Sequence, residues 1–350
     1  MKVEFAAAHL RCPVCHRDRS LRLDVAAASP LEVREGLLVC EACGAEHVVH
    51  DGIAHLLVDP PEHVVREAAG LAGFADFMAS TGWNRERILA LPDYPDGYWY
   101  VQAMSMQQLL DVVDFHPGQT LLDVGSNTCW ASNRFAQRGL TVAALDISTT
   151  ELQGLSTADY FIQAGVSYFE RVLGSMNDMP IASGSLDYVY CCEVLHHNDA
   201  DGLRRTMEEA YRVLKPGGRL LVANETLKTL RDPHGVHVET VAHWEGYEHA
   251  HWAARYRWEA IRAGFRTRIS EPRYHEFFGA GPPPTNMRPR RRAPVRRARF
   301  ELRSHPLTRH AYLAWLHHVA GGAAFGMIAT KPARRGIIPA AAQALGDRAA

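Results

Sequence analysis

Neither sign of charge dominates this chain of 350 residues: 38 Lys and Arg stand against 39 Asp and Glu, a formal net charge of −1. A global attraction to nucleic acid or to an anionic membrane is thereby excluded, and any such attraction has to be local. A continuous run of about 20 strongly apolar residues, which a membrane span requires, is also missing. The nearest candidate is "AYLAWLHHVAGGAAFGMIA" (residues 311–329), but His317, His318 and a Gly-Gly pair interrupt it. It reads as a short helix, a turn and a buried strand. The opening "MKVEFAAAHLRCPVC" has only a short apolar stretch before Arg11 and does not read as a signal peptide. The expected compartment is the cytoplasm, with no membrane contact. Cysteine is sparse: seven residues, four near the amino end and three (Cys129, Cys191, Cys192) further on. That grouping points to metal chemistry rather than a disulfide framework. Hydrophobic content of 47% and charged content of 22% are ordinary for a globular protein, and the length accommodates one large and one small domain.

The first four cysteines form two Cys-x-x-Cys turns, Cys12/Cys15 and Cys40/Cys43, with 24 residues between them. Each turn points two thiolates at one metal, and two turns complete a tetrahedral site. "LRLDVAA" and "LEVREGLLV" between them alternate like strands, and "GAEHVVHDGIAHLL" continues as a third strand and exit loop. Residues 1–60 therefore read as a zinc ribbon binding structural Zn2+, because four thiolates leave no open position for catalysis. His9, His16 and His47 are expected at the surface.

Pro60-Pro61 marks a boundary. Residues 61–112 read as a helical connector or lid: "EHVVREAAGLAGFADFMAS" has helical spacing, and Tyr94, Tyr98, Trp99 and Tyr100 cluster before a second helical run. These aromatics either cap a core or face a sulfonium cation, and Tyr98 is the candidate taken forward for cofactor contact.

A third domain is expected over 113–335. "QTLLDVG" reads as a buried parallel strand, "WASNRFAQRG" as the helix that follows, and "LTVAALDIS" as a second strand ending in Asp146, 21 residues after Gly125. In a strand–turn–helix–strand unit that acid accepts from ribose hydroxyls. A dinucleotide demands several glycines at the turn so that backbone approaches a pyrophosphate. Here Gly125 stands alone, with Cys129 and Trp130 crowding the space a diphosphate would take, while Asn127 tolerates a left-handed backbone. The turn suits a nucleoside cofactor without phosphate.

"VLGSMNDMPIASGSLDYVYCCEVLHH" and "LRRTMEEAYRVLKPGGRLLVANE" strongly resemble the class I S-adenosylmethionine-dependent methyltransferases of the type 11 group. Leu186-Asp187, Leu195-His196-His197 and "RVLKPGG" (212–218) carry the likeness. It covers roughly residues 113–275 and the strand near 323–331. The amino-terminal ribbon is similar to ribbons fused to, or partnered with, several methyltransferases, including the small ribbon protein that activates some tRNA and rRNA enzymes. The resemblance implies a doubly wound, Rossmann-like α/β sheet of seven strands with an antiparallel final strand. It places Asp123 and Gly125 under the methionine end of S-adenosylmethionine, Asp146 on the ribose and Ile147 on the adenine, with Ser126 and Asn127 also expected to bind the cofactor. Met176 would offer its backbone amide to the adenine, and Cys192 would lie beside the cofactor. Ser175 stands where the family has an Asp for the adenine amino group, for which Asn177 or Asp178 is a substitute.

The acceptor region is expected after the fifth strand, in a segment rich in His and Glu (His234 to His251). This is a polar surface loop, an acceptor pocket with a histidine base, or a metal site. His249 is the first candidate base, followed by His196 and His197. Seven arginines between 288 and 299 lie in a basic insertion (280–312), either solvated or clamping phosphate. Residues 336–350 read as a tail. The leading function is methyl transfer to O, N or C of a polar small molecule. Alternatives are an RNA methyltransferase gripping its substrate with ribbon and arginines, and a non-catalytic scaffold. The oligomeric state is not legible.

Overall fold

The computed structural model describes residues 1–93, 97–235, 247–270, 305–320 and 325–333. The arginine run 288–299, the tail 336–350, His237, His243 and Tyr94 lie outside these residues, as do the side chains of Tyr98 and Tyr100.

Helix α1 (Val3–His9) leads into a meander of β1 (Leu21–Ala28), β2 (Val33–Cys40), β3 (Glu46–His50) and β4 (Ile53–His55). Alternation of apolar and polar residues buries one face of β3, with His47 and Val49 inside. His47, expected at the surface, is therefore a core residue, with Nε2 4.0 Å from Cys12 Sγ. Helix α2 (Glu62–Ser80), α3 (Arg85–Leu89) and α4 (Gly97–Val112) form the connector.

The large sheet follows. β5 (Thr120–Val124) and β6 (Thr141–Asp146) are continuous buried runs, as strands covered on both faces should be. β7 (Glu170–Leu173), β8 (Leu186–Cys192) and β9 (Leu214–Glu225) extend the parallel set. β10 (Arg266–Ile269) and β11 (Phe325–Thr330) close it, β11 running antiparallel to both β9 and β10. Helices α5 (Trp130–Ala136), α6 (Ala158–Gln163), α7 (Ala200–Val213), α8 (Ala253–Ala263) and α9 (Pro306–Trp315) complete the described α-helices. No helix among the described residues is long and apolar enough to cross a membrane.

The seven strands expected for the large domain lie in the order β7-β6-β5-β8-β9-β11-β10, a doubly wound arrangement whose order reverses between β5 and β8. What the sequence did not announce is that the ribbon continues this sheet. β4 pairs in parallel with β7 (Ile53 with Arg171, Ala54 with Val172, His55 with Leu173), giving one sheet of eleven strands among the described residues. One apolar cluster runs across the seam, from Phe5, Leu10 and Leu38 to Val172, Met179 and Ile181.

The seam also holds buried charge. Arg171 has no exposed side-chain surface and pairs with Glu32 of the ribbon and with Asp159, while Arg34 reaches Asp159 at 3.1 Å. Burial works to raise the Glu32 carboxyl, but the hydrogen bond and charge of Arg171 outweigh it and hold it below the usual range. At the opposite end of the strands, Asp187 accepts from Thr120 N (2.8 Å) and Lys215 Nζ (2.8 Å). The "KPGG" segment bulges there within β9, where a Cβ on Gly218 would sit 2.9 Å from Lys215 O.

Replacing Glu32 with Gln leaves the Arg171 charge underpaired in the core. It is expected to cost about 3–5 kcal/mol in urea unfolding, with ribbon and large sheet melting together. Because the folded carboxyl titrates below its ordinary value of 4.5, this contribution is complete above that pH and is lost as pH falls below it. A wild-type chain in which the two parts melt separately would refute a shared core.

Candidate functional site

The parallel strands end on one side in a cavity of about 640 Å³. Ligands in doubly wound sheets bind at the carboxyl ends of the strands near the switch point, and β5, β6 and β8 all contribute here. The turn after β5 explains itself locally. Gly125 has φ +66° and a Cβ there would lie 2.3 Å from Val194 Cγ2, so only glycine fits. Asn127 and Cys129 also take left-handed backbone, at φ +46° and +57°. Asn127, where a further glycine was looked for, sustains this with its side-chain amide donating to Gln153 Oε1 at 2.6 Å. Its backbone N–H donates to Asp146 Oδ2 at 2.8 Å, and Ser148 N donates to Oδ1 at 3.0 Å. Burial pushes the Asp146 carboxyl up to about 6, with those N–H groups restraining the rise. Burial likewise pushes Asp123 up to about 7, although Ser132 Oγ donates to it at 2.6 Å.

Asp123, Gly125, Ser126, Asn127, Asp146, Ile147, Met176, Asn177 and Cys192 all line this one cavity. Their roles differ from a uniform lining, however. Asn177 Nδ2 donates to Asn198 Oδ1 (2.7 Å), Gly202 O (3.0 Å) and Thr206 Oγ1 (2.8 Å), so its amide braces the loop. Asp178 is half exposed and faces Arg11 and His16 of the ribbon. Neither side chain is arranged as a substitute for the missing Asp at Ser175. The ribbon in fact grips this loop's far end: Arg11 N donates to Pro180 O (3.1 Å) and Ala182 N to His9 O (2.7 Å). From the aromatic cluster, Trp99 is the residue found in the lining.

The histidines separate. His196 and His197 line the cavity, with rings 4.5 Å apart, whereas His249 is not among the lining residues. The His249 ring packs edge-on against Tyr247, the His249 backbone N–H donates to His196 O, and Glu248 takes the cavity position instead. His196 Nδ1 lies 3.0 Å from Glu225, whose other oxygen accepts from Val194 N and Leu195 N. Burial works to raise Glu225, but His196 and those N–H groups outweigh it and keep the carboxyl below its usual range. His197 Nδ1 forms an ion pair with Glu67. Burial disfavours the charged ring, yet Glu67, then Glu248 and Glu225, outweigh it and raise its pKa.

Glu67 is the main residue that sequence reasoning missed. It belongs to α2, which also contributes His63, Leu71 and Phe74 to the lining. The spacing 63, 67, 71, 74 is a helical stripe, so the periodicity was visible, but nothing in it named the surface it would cover. Glu193 is a second omission: it lines the cavity at φ +49° and accepts from Asn224, itself at φ +55°. Two non-glycine residues in left-handed backbone at adjacent strand ends mark strain where ligands bind.

The four ribbon cysteines converge, their sulfurs all within 4.8 Å of one another, with Cys12–Cys43 at 3.8 Å and Cys15–Cys40 at 3.6 Å. A tetrahedron of metal–sulfur bonds of about 2.3 Å has edges of about 3.8 Å. These separations fit a four-thiolate metal site, whereas a disulfide needs sulfurs about 2.05 Å apart.

Strand order, switch point and cavity together define a Rossmann-like α/β domain with a cavity at the carboxyl ends of its strands. The family model described as "Methyltransferase domain" matches residues 122–222. The biotin biosynthesis bifunctional protein BioHC of Cellvibrio japonicus is 34% identical over 117 residues, 33% of this chain and 22% of that protein. The ubiquinone/menaquinone biosynthesis C-methyltransferase UbiE of Cereibacter sphaeroides is 36% identical over 125 residues, 35% of this chain and 48% of that protein. The chain thus spans less than half the length of these curated relatives. A solved complex of the Haloferax volcanii Trm112 methyltransferase activator with a methyltransferase is similar at 17% identity and a TM-score of 0.44, covering 76% of this chain and 97% of that one.

Gly125→Ala is expected to lower stability by at least about 1–2 kcal/mol, from its left-handed backbone alone. Adding Val194→Ala should recover part of the loss by removing the contacting methyl groups. Thermal denaturation of both variants checks this, and a neutral Gly125→Ala would contradict the turn geometry.

Proposed function

We propose that the chain is an S-adenosylmethionine-dependent methyltransferase acting on a polar small molecule. The observation that carries the reading is the convergence of Asp123, Gly125, Asp146 and Cys192 with His196 and His197 on one cavity, inside a segment of the methyltransferase domain family. Bound there, S-adenosylmethionine would supply an electrophilic methyl group. Asp146, buried and anchored by two backbone N–H groups, accepts from the ribose hydroxyls. Asp123 faces the methionine ammonium, and Trp99 presents an aromatic face within the same space. Methyl transfer is substitution at carbon, so alignment does most of the work and a base serves acceptors that must lose a proton.

His197 is that base. Its Nδ1 is turned to Glu67, which leaves Nε2 for the acceptor, and Glu67 both orients the ring and stabilises its charged form. His196 is tied to Glu225 and holds the strand end in shape. The ribbon cysteines hold Zn2+ in a structural role, since all four positions around it are filled.

The purified chain should transfer label from methyl-labelled S-adenosylmethionine to a small-molecule fraction of a cell extract. Asp146→Ala should weaken S-adenosylhomocysteine by about 10- to 100-fold in calorimetry, the loss of hydrogen bonds to a charged group. Unchanged affinity would remove Asp146 from the site, and label in RNA would favour the alternative substrate class. The neutral form of His197 accumulates only above the ordinary histidine value of about 6.5. Turnover should therefore rise with pH through a limb above that value, and Glu67→Gln should move the limb to lower pH. A limb that stays in place excludes His197 as the base. Elemental analysis should find one zinc per chain, lost in Cys12→Ser together with thermal stability of the whole sheet.

A further inference from the structure

We propose that the acceptor is a net-cationic aliphatic amine, bound by carboxylates that the cofactor does not use. The inference rests on the methyl-transfer reading and narrows it to one substrate class. Five carboxylates line the cavity: Glu67, Asp123, Asp146, Glu193 and Glu248. Among the described lining residues there is no Lys or Arg. Asp123 and Asp146 are assigned to the cofactor, whose sulfonium, ammonium and carboxylate leave it a net cation. Glu67, Glu193 and Glu248 remain, and they come from three separate elements: the lid helix, the end of β8 and the segment that precedes α8.

Such a set cannot serve an anionic acceptor. Glu67 is engaged by His197, but a phosphate or carboxylate brought beside Glu193 and Glu248 in a partly enclosed space is repelled by both, most strongly where water is excluded. An ammonium group is drawn in by the same field, and the aromatic faces of Phe74 and Trp99 in the lining favour it further. Histidine completes the arrangement, because an ammonium has no lone pair and must lose a proton before it reacts. His197, with Glu67 at its Nδ1 and Glu248 close enough to act on its charge, is placed to receive that proton.

The step balances as follows. The ammonium gives one proton to His197 Nε2, and the freed nitrogen lone pair forms the N–C bond to the methyl carbon. The electrons of the broken C–S bond stay on sulfur, which loses its positive charge. The imidazolium then releases its proton to solvent as the product leaves. Glu67 orients the base, and Glu193 and Glu248 neutralise the incoming cation.

The full chain is incubated with methyl-labelled S-adenosylmethionine and a metabolite extract of its source organism, and the products are passed over cation and anion exchangers at neutral pH. Unreacted S-adenosylmethionine is itself a cation, so the expected result is label retained on the cation exchanger in a species that elutes apart from S-adenosylmethionine and is absent when the protein is left out. Glu248→Gln should then raise the KM for the retained acceptor by about tenfold, the loss of one charged contact, while S-adenosylhomocysteine affinity stays as in the parent chain. Label on the anion exchanger, or in the unretained flow, overturns the proposal while leaving methyl transfer intact. A chain that neither binds S-adenosylhomocysteine nor labels any fraction overturns the methyl-transfer reading itself. A retained product whose KM is the same in Glu248→Gln and in Glu193→Gln also counts against the proposal, since the charge complementarity would then lie elsewhere.

Discussion

Three residue pairs hold this molecule together as one body: Ile53, Ala54 and His55 lie in parallel register with Arg171, Val172 and Leu173. Through them the ribbon becomes the edge of the large sheet rather than an appendage. Backbone hydrogen bonding at a sheet edge is undiscriminating, so the register needs side chains to set it. Arg171 supplies that selectivity. Fully buried, it requires Glu32 from the ribbon and Asp159 from α6 at the same time, and a slipped register would leave an unpaired charge in the core. The cost of burying the pair is large, which makes it a device of specificity more than of stability.

The same seam reaches the cavity. The loop from Gly174 to Pro180 leaves β7, lines the ligand space with Met176 and Asn177, and is then pinned by the backbone of His9 and Arg11. Among the described residues the ribbon contributes none to the cavity lining and reaches the site through the loop it braces. On the other side α2, which follows directly from the ribbon's exit, lays His63, Glu67 and Phe74 over the strand ends. The cavity is thus bounded by the strand ends and, among other segments, by a loop and a helix that adjoin the ribbon. His63 stacks on Tyr247 at 4.3 Å, so α2 also meets the segment carrying Glu248.

Much of this was legible. The two Cys-x-x-Cys turns, the strand–turn–helix after Gly125, the acid at Asp146 and the helix over residues 62–80 follow from short-range rules: metal-ligand spacing, periodicity and backbone sterics. "KPGG" follows directly on the end of α7 and bulges at the start of β9, where Lys215 reaches Asp187. His249 is the first candidate base because "EGYEHAHW" resembles a family segment that places Glu and His near the acceptor, yet such a likeness says nothing about which side chain faces the cavity. One residue's difference along an irregular segment put Glu248 into the cavity and turned the His249 ring onto Tyr247.

By itself the sequence determined the parts whose causes are local: the thiolate quartet, the turn that only Gly125 can make, the buried parallel strands and the carboxylate one strand away. It did so because each depends on spacings of a few residues and on backbone conformations that few side chains tolerate. Tertiary structure alone decided what faces what. That Arg171 would seek Glu32, 139 residues away, that Glu67 of a connector helix would orient His197, and that ribbon and sheet would share one core are consequences of long-range packing. Buried charges must be paired and apolar faces covered, and many sequences satisfy those demands without announcing the partner.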